Sequence, residues 1–261
     1  MLHTYERKTI LTRGENFGRR LLVSMDAKSY GRADDQQQDA IQTGLLAVAD
    51  AAAEHAGLVR SAWDRQSSGD GELAVLPLTE AEPRVVDDFV RELAAALTDH
   101  NYDLRPQSRL RLRVAIHHGV AIPAGNGYRG RGVVVVSRLV DSEPIRAALA
   151  AQNQANLAVI LSKQVYTDTI VQRHTSLAHQ EFRRVQVANK EFTEEAWLRL
   201  PGHDVHALDL TATAGGRRER TASEPRKPAE PTPTRPADVH IEFQREVTAP
   251  RSVFGISNRW D

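Results

Sequence analysis

The chain has no cysteine, which excludes disulfide bonds, thiolate metal ligands and a cysteine nucleophile. Aromatic residues make up only 5% of the chain, so Ala, Val and Leu must fill most of the core. Lys and Arg together number 34, as do Asp and Glu, and this balance argues against a generally basic nucleic-acid binder. No apolar run approaches the roughly 18 residues of a membrane span, and the N-terminus lacks a signal-peptide pattern. We therefore expect a cytoplasmic protein with neither a nucleic-acid nor a membrane partner.

Composition divides the 261 residues into four parts. Residues 1–17 are polar and form a lead-in, and residues 18–205 carry the apolar periodicity of one folded domain. Residues 211–238 are rich in Pro, Arg, Glu and Thr and have almost no large apolar side chains. Such a segment cannot offset its ordering entropy, so we interpret it as a disordered linker. Residues 239–261 regain Ile, Phe, Val and Trp, which suits a short β-prone segment or a docking segment for a protein partner.

The periodicity of residues 18–205 predicts an α/β domain with a mostly antiparallel sheet and helices on one face. Residues 133–151 fit two interpretations: four consecutive valines favour a strand, whereas the later apolar spacing favours a helix. The other predicted elements are strands at 20–25, 58–65, 73–76, 110–116 and 157–162, helices at 34–56 and 85–100, and a hairpin at 182–200.

Two aspartates stand at the ends of apolar strands. Asp26 follows the strand 20–25, and Asp70 lies in the glycine turn Gly69-Asp70-Gly71. Mg²⁺ is commonly held by one or two carboxylates together with substrate phosphate oxygens. The alternative is that Asp26 caps a turn and Asp70 fills an exposed hairpin position. The order of the surrounding motifs favours metal binding.

Five segments, in the same order, resemble the catalytic domain of class III nucleotidyl (adenylate/guanylate) cyclases, and they span about residues 18–200. They comprise a first metal-aspartate strand, a hairpin with the second aspartate, an Ile-His-x-Gly strand, a glycine turn with its helix, and a strand with a short helix. These segments are Met25–Gly31, Gly69–Gly71, Leu112–Gly119, Tyr128–Leu139 and Val159–Tyr166.

The resemblance implies a ferredoxin-like nucleotidyl-cyclase fold. It also implies conversion of a nucleoside triphosphate to a 3′,5′-cyclic nucleotide and pyrophosphate, with two Mg²⁺ or Mn²⁺ ions. Asp26 and Asp70 would hold the metals and Arg138 would stabilise the reacting phosphate. A homodimer is expected, in which the aspartates of one chain face the base-reading residues and Arg138 of the other. The residues expected to contact substrate are Ala27, Lys28, Ser29, Tyr30, Gly31, Gln66, Arg131 and Lys190.

The chain departs from the family pattern at three positions of the expected site. Val134 stands where the family has an Asn that binds ribose, and an apolar side chain there removes a hydrogen bond. Gln66 and Arg131 stand at the two base-reading positions, and such a pair suits a base edge with carbonyls, as in guanine or uracil, better than adenine. The alternative for both is a solvated polar position. These departures leave a rival function open: a catalytically inactive cyclase-like module that binds a nucleotide or a partner.

The adjacent His117 and His118 could suggest a metal or acid–base pair. Neighbouring residues on a strand point to opposite faces of the sheet, so the two rings cannot readily share one ligand. We interpret both as structural histidines.

Overall fold

The computed structural model describes residues 18–210, except 29, 68, 126, 190 and 191. The predicted lead-in 1–17, linker 211–238 and C-terminal segment 239–261 lie outside the described residues, as do Ser29 and Lys190. No helix in the described part of the chain is long and apolar enough to cross a membrane.

Within the described residues, seven strands form one sheet in the order β2-β3-β1-β4-β7-β9-β8, and β5 and β6 form a separate two-stranded ribbon. Every neighbouring pair in the large sheet is antiparallel except β4 and β7, which are parallel. The mixed α+β class with a mostly antiparallel sheet is therefore confirmed. The strands are β1 (Arg19–Ala27), β2 (Asp64–Ser67), β3 (Gly71–Val75), β4 (Leu112–Val120), β5 (Ile122–Ala124), β6 (Gly127–Arg129), β7 (Leu157–Ser162), β8 (Arg183–Asn189) and β9 (Phe192–Arg199).

The helices follow the predicted positions closely. The first is capped by Asp34, which accepts a hydrogen bond from the backbone of Gln37, and it is followed by Gly57 with a φ of 65°. The second predicted helix begins earlier than expected and contains a π-helical turn over Val85–Phe89. The helices are α1 (Asp35–His55), α2 (Glu82–Arg84), α3 (Val90–His100), α4 (Arg131–Val140), α5 (Glu143–Ala151) and α6 (Lys163–Tyr166).

Helices cover both faces of the sheet, not one face as predicted. Leu21, Val23 and Met25 of β1 belong to an apolar cluster with α1 and α3, whereas Leu22 belongs to a second cluster with α4 and α5. The physical reason is that β1, β4 and β7 are apolar on both sides, as strands covered on both faces must be. Asp26 has the same parity as Leu22 and therefore lies on the α4–α5 face.

The four valines form part of helix α4, which resolves the two interpretations of residues 133–151. Val135 and Val136 are buried together with Leu139 and Val140, which gives the helix one apolar face against the sheet. Val134 lies outside this face with 52% of its surface exposed. Tertiary burial at helical spacing thus outweighs the β-propensity of valine.

The strand predicted over 58–65 is shorter than expected. Residues Arg60–Ala62 form a 3₁₀ turn, and β2 begins only at Asp64. Arg60 is 5% exposed and donates to both carboxylate oxygens of Glu72, at 2.7 and 3.2 Å, and to Asp50 at 2.6 Å. A buried guanidinium must be paired, and this pairing shapes the segment more strongly than its apolar pattern does.

Candidate active site

Strand pairing brings the backbones of the two predicted metal aspartates close together at one end of the sheet. Asp26 on β1 lies opposite Gly71 on β3, and the N–H of Ala27 donates to the backbone carbonyl of Asp70 at 2.8 Å. A Cβ on Gly71 would lie 2.4 Å from the carbonyl oxygen of Met25, so this close approach requires glycine. The hairpin and β1 therefore bring both aspartates to the same end of the sheet.

Asp26 already has a cationic partner. Arg113 lies opposite Asp26 in the β1–β4 pair, and its Nη2 donates to Oδ2 of Asp26. The two side chains are only 11% and 18% exposed, respectively. The Nε of Arg113 is buried without a hydrogen-bond partner. The sequence prediction missed Arg113, although a charged residue alternating with buried apolar residues in a strand is a recognisable signal.

The surroundings of Arg113 carry further positive charge. A cavity of about 140 Å³ is lined by Lys28, Arg113, Arg146 and Leu149. Burial, followed by repulsion from Arg111, lowers the pKa of Lys28. Burial and then repulsion from Arg146 lower the pKa of Arg113. Desolvated cations that repel one another attract an anion, so this cavity suits a phosphate-sized group.

The turn after β1 only partly matches its predicted role in holding phosphate. The N–H groups of Ala27 and Lys28 are engaged with the carbonyls of Asp70 and Arg111, each at 2.8 Å. They extend the strand hydrogen bonding in the free protein, and a contact of these two groups with phosphate stays a prediction. The phenol of Tyr30 accepts a hydrogen bond from Gln42 at 2.6 Å. A backbone contact of Tyr30 or Gly31 with phosphate stays a prediction.

Of the two predicted base-reading residues, Arg131 lies away from the aspartates. Arg131, at the start of α4, forms an ion pair with Glu194 at 3.2 Å and lines a cavity together with Arg19, at the start of β1. Because Asp26 lies near the other end of β1, Arg131 and the aspartates occupy opposite ends of the sheet within one chain.

Gln66 and Arg131 have different neighbours, so one chain shows no paired base-reading site. The amide of Gln66 lies against Gly127, where a Cβ would be 2.3 Å from its Oε1. Arg138 is half-buried on α4 and has no ion pair among the described residues. Its pairing with substrate therefore stays a prediction.

The two adjacent histidines lie on β4, and their structural role stays a prediction. His117 has the parity of Ala115 and faces α4, where its Nε2 lies close to the backbone of Gly119. Burial, followed by the charges of His118, Arg19 and Arg131, lowers the pKa of His117 to about 4. His117 is therefore a neutral imidazole at neutral pH.

The carboxylates fit a metal site that substrate must complete. No group of three or more His, Asp or Glu side chains gathers within the part of the chain that the structure describes. Asp26 and Asp70 alone supply two carboxylates at one edge, which matches the way Mg²⁺ is held with phosphate oxygens and water. When a cation binds to the carboxylate of Asp26, Arg113 would have to leave Asp26 and pair with another anion.

Three solved structures illustrate what the chain is similar to. An adenylate/guanylate cyclase/hydrolase from Silicibacter pomeroyi is 20% identical, with a TM-score of 0.49, over 71% of this chain and 99% of that one. The guanylyl cyclase Cya2 is 13% identical, with a TM-score of 0.48, over 74% and 98%. The guanylate cyclase domain of RhGC from Catenaria anguillulae in complex with GTP is 13% identical, with a TM-score of 0.44, over 69% and 95%.

All three structures are of cyclases or cyclase domains. No protein-family model and no curated protein matches the sequence.

Proposed function

We propose that the protein is a metal-dependent nucleotidyl cyclase that converts a nucleoside triphosphate to a 3′,5′-cyclic nucleotide and pyrophosphate. The observation that carries the proposal is that Asp26 and Asp70 lie at the same end of the sheet and that Asp26 contacts Arg113, which lines a cavity with Lys28 and Arg146. A carboxylate pair next to a cationic phosphate-sized cavity suits a metal–triphosphate complex better than either group would alone.

The residues at this end of the sheet would bind different parts of the metal–triphosphate complex. Asp26 and Asp70 would hold Mg²⁺ or Mn²⁺, which when bound lowers the pKa of an attacking hydroxyl and offsets phosphate charge. Arg113 would turn from Asp26 to a phosphate oxygen, keeping a charge-assisted hydrogen bond throughout. Lys28 would add a second cation to the same phosphate group. The charges remain balanced with and without substrate.

The proposed active form is a homodimer, since one chain does not bring all the predicted residues together. Arg131 lies at the sheet end opposite Asp26, so a second chain placed head to tail could present Arg131 and Arg138 to the substrate. Arg138 would then stabilise charge on the transferring phosphate. Gln66 offers a donor and an acceptor to the base, and this supports a base that is not read in the usual adenine manner.

The rival function is a catalytically inactive cyclase-like module that binds a nucleotide or a protein partner. Two observations favour it: Asp26 is already paired with Arg113, and Val134 presents an apolar side chain where ribose would need an amide. A partner could also dock on the C-terminal segment, which lies outside the described residues.

One experiment separates the two functions. The purified full chain is incubated with each of the four nucleoside triphosphates and Mn²⁺, and pyrophosphate and cyclic product are both quantified. A cyclase yields equimolar pyrophosphate and cyclic nucleotide, and Asp70→Asn abolishes both. Asp103→Asn is the matched control: this aspartate is exposed and distant in sequence from Asp70, so the variant should retain activity. Absence of product from all four nucleotides would favour the inactive module.

A further inference from the structure

A cavity of about 590 Å³ lies between the first turns of α1 and the loop that joins α3 to β4. Ile41 of α1 and Leu110 of the loop both line it, and both pack in the apolar cluster with α1 and α3. The cavity is therefore on the α1–α3 face of the sheet, whereas Asp26 is on the α4–α5 face. Ligand pockets generally measure about 300–1,000 Å³, so a small organic molecule would fit here.

One wall of the cavity is a loop whose two ends are tied together. The side chain of Asn101 is 3% exposed, and its amide donates to the backbone carbonyl of Leu110 at 2.8 Å. Its oxygen accepts from the N–H of Leu110, also at 2.8 Å. The loop residues that line the cavity are Leu104, Gln107, Ser108, Arg109 and Leu110. Because a buried pair of hydrogen bonds closes this loop, the wall is formed before any ligand arrives, and binding need not order it.

The uncharged part of the lining is both apolar and hydrogen-bonding. Its apolar members are Ala33, Ala40, Ile41, Leu104 and Leu110. Its hydrogen-bonding members are Gln36, Gln37, Gln107 and Ser108. Small-molecule sites typically combine an apolar lining with a few polar groups that fix the orientation of the ligand. This lining therefore suits a molecule with an apolar body and one polar end.

The charged part of the lining has an excess of positive charge. Lys28 and Arg109 are half-buried, and neither has a carboxylate partner among the described residues. Asp34 is the one carboxylate of the described lining, and it caps α1 by accepting from the N–H of Gln37 at 2.9 Å. Burial, followed by repulsion from Arg109, lowers the pKa of Arg111, so the cations here lie close enough to repel one another. An anionic group in the cavity would offset that repulsion.

We propose that this cavity binds a small organic acid, with its carboxylate at Arg109 and Lys28 and its apolar body against Ile41 and Leu110. The planar fork of a guanidinium matches a carboxylate in a bidentate pair. The proposed cyclase activity does not enter this inference. Of the described residues in the lining, Lys28 alone also lines the small cavity beside Arg113, whereas the other residues of the proposed acid site do not.

The test is isothermal titration of the full chain with octanoate and with phenylacetate, in EDTA so that metal sites stay empty. At least one of the two acids should bind with one site per chain. The corresponding neutral amide, octanamide or phenylacetamide, should bind at least tenfold more weakly, because it lacks the charge that Arg109 and Lys28 would meet. Arg109→Gln should weaken binding of the acid roughly tenfold. Arg105→Gln, at an exposed arginine of the same loop that is outside the lining, should bind like the parent.

A second pair of variants tests the apolar part of the site. Ala40→Leu places a larger side chain in the lining and should weaken binding of the acid roughly tenfold by taking up space. Ala47→Leu, at an exposed position of the same helix outside the lining, should bind like the parent. Leu is a good helix former, so both variants should melt within a few degrees of the parent without ligand. Weakened binding in Ala40→Leu alone would then reflect the cavity and not unfolding.

The proposed metal site supplies the last control. The Asp26→Asn, Asp70→Asn double variant should bind the acid like the parent, so absence of cyclase activity and absence of acid binding are separate results. Failure of both acids to bind would overturn the proposal, as would equal binding of an acid and its amide. Binding that is unchanged in either Arg109→Gln or Ala40→Leu would also overturn it, as would inorganic phosphate binding as tightly as the acid.

Discussion

Arg113 on β4 donates a hydrogen bond to the carboxylate of Asp26 on β1, directly across the strand pair. Because both side chains are largely buried, the pair is screened little by solvent. Its two members are also candidates for two different parts of one substrate complex. The pair links the two strands in the free protein, and in the proposed function both of its members would also bind the metal–triphosphate complex.

Removing Arg113 from the pair should destabilise the folded protein. We expect Arg113→Met to lower the free energy of unfolding by about 2 kcal/mol, because it leaves a buried carboxylate unpaired. Adding Asp26→Asn should recover part of that loss, which a double-mutant cycle from urea unfolding would measure. Arg146→Met breaks an exposed pair with Asp141 and should cost less than about 0.5 kcal/mol. Equal costs for the two arginine variants would contradict the buried-pair interpretation.

Gly71 should not tolerate a side chain. A Cβ there would lie 2.4 Å from the carbonyl oxygen of Met25, so Gly71→Ala must push β3 away from β1. We expect a loss of about 1–3 kcal/mol in unfolding free energy. The metal-dependent activity proposed for Asp70 should be lost as well. Gly125→Ala is the control, since nothing lies within 4 Å of its added Cβ. Thermal melts of the two variants compare them directly.

Glu82 should make stability fall as the pH rises. Burial, followed by repulsion from Asp168, raises the pKa of Glu82 to about 7 from an ordinary value of 4.5. The folded state therefore holds this proton more tightly than the unfolded state does, and the stability that it confers is lost between pH 4.5 and 7. Glu82→Gln should raise the melting temperature above pH 7 and change it much less near pH 4.5. Glu54→Gln, at an exposed site, should show no such pH dependence.

Complementation should test the proposed two-chain site. Asp26→Ala and Arg138→Ala chains would each be inactive alone, because each damages every site of its own homodimer. A mixture should regain activity, since heterodimers carry one site free of both substitutions. Titrating one variant into the other at fixed total protein should give a bell-shaped activity curve. Full activity of a parent chain that sedimentation shows to be monomeric would contradict the two-chain site.

Local patterns in the sequence predicted most of the elements, and the misses have physical causes. Asp34 and Gly57 bound the first helix as capping chemistry predicts, and 157–162 is a strand. The segment 58–63 was missed because Arg60 pairs with Glu72, which is distant in sequence. Arg113 was missed as a site residue because its partner, Asp26, becomes its neighbour only through strand pairing. Local patterns define elements, whereas these residues depend on register.

The prediction that helices cover only one face of the sheet was wrong for a related reason. The four valines were ambiguous until α4 was packed on the sheet, and one of them, Val134, faces away from the core. Periodicity alone cannot say which face of a sheet receives a helix when the strands are apolar on both sides.

The sheet order leaves β2 and β8 as its two edges, and charged residues on both disfavour pairing with an added strand. β2 reads Asp64-Arg65-Gln66-Ser67 and is exposed throughout, and β8 begins with the charged residues Arg183 and Arg184. An added strand would have to bury these charges beside its own backbone. These charges on the two edges of the described sheet therefore disfavour edge-to-edge growth into fibrous aggregates.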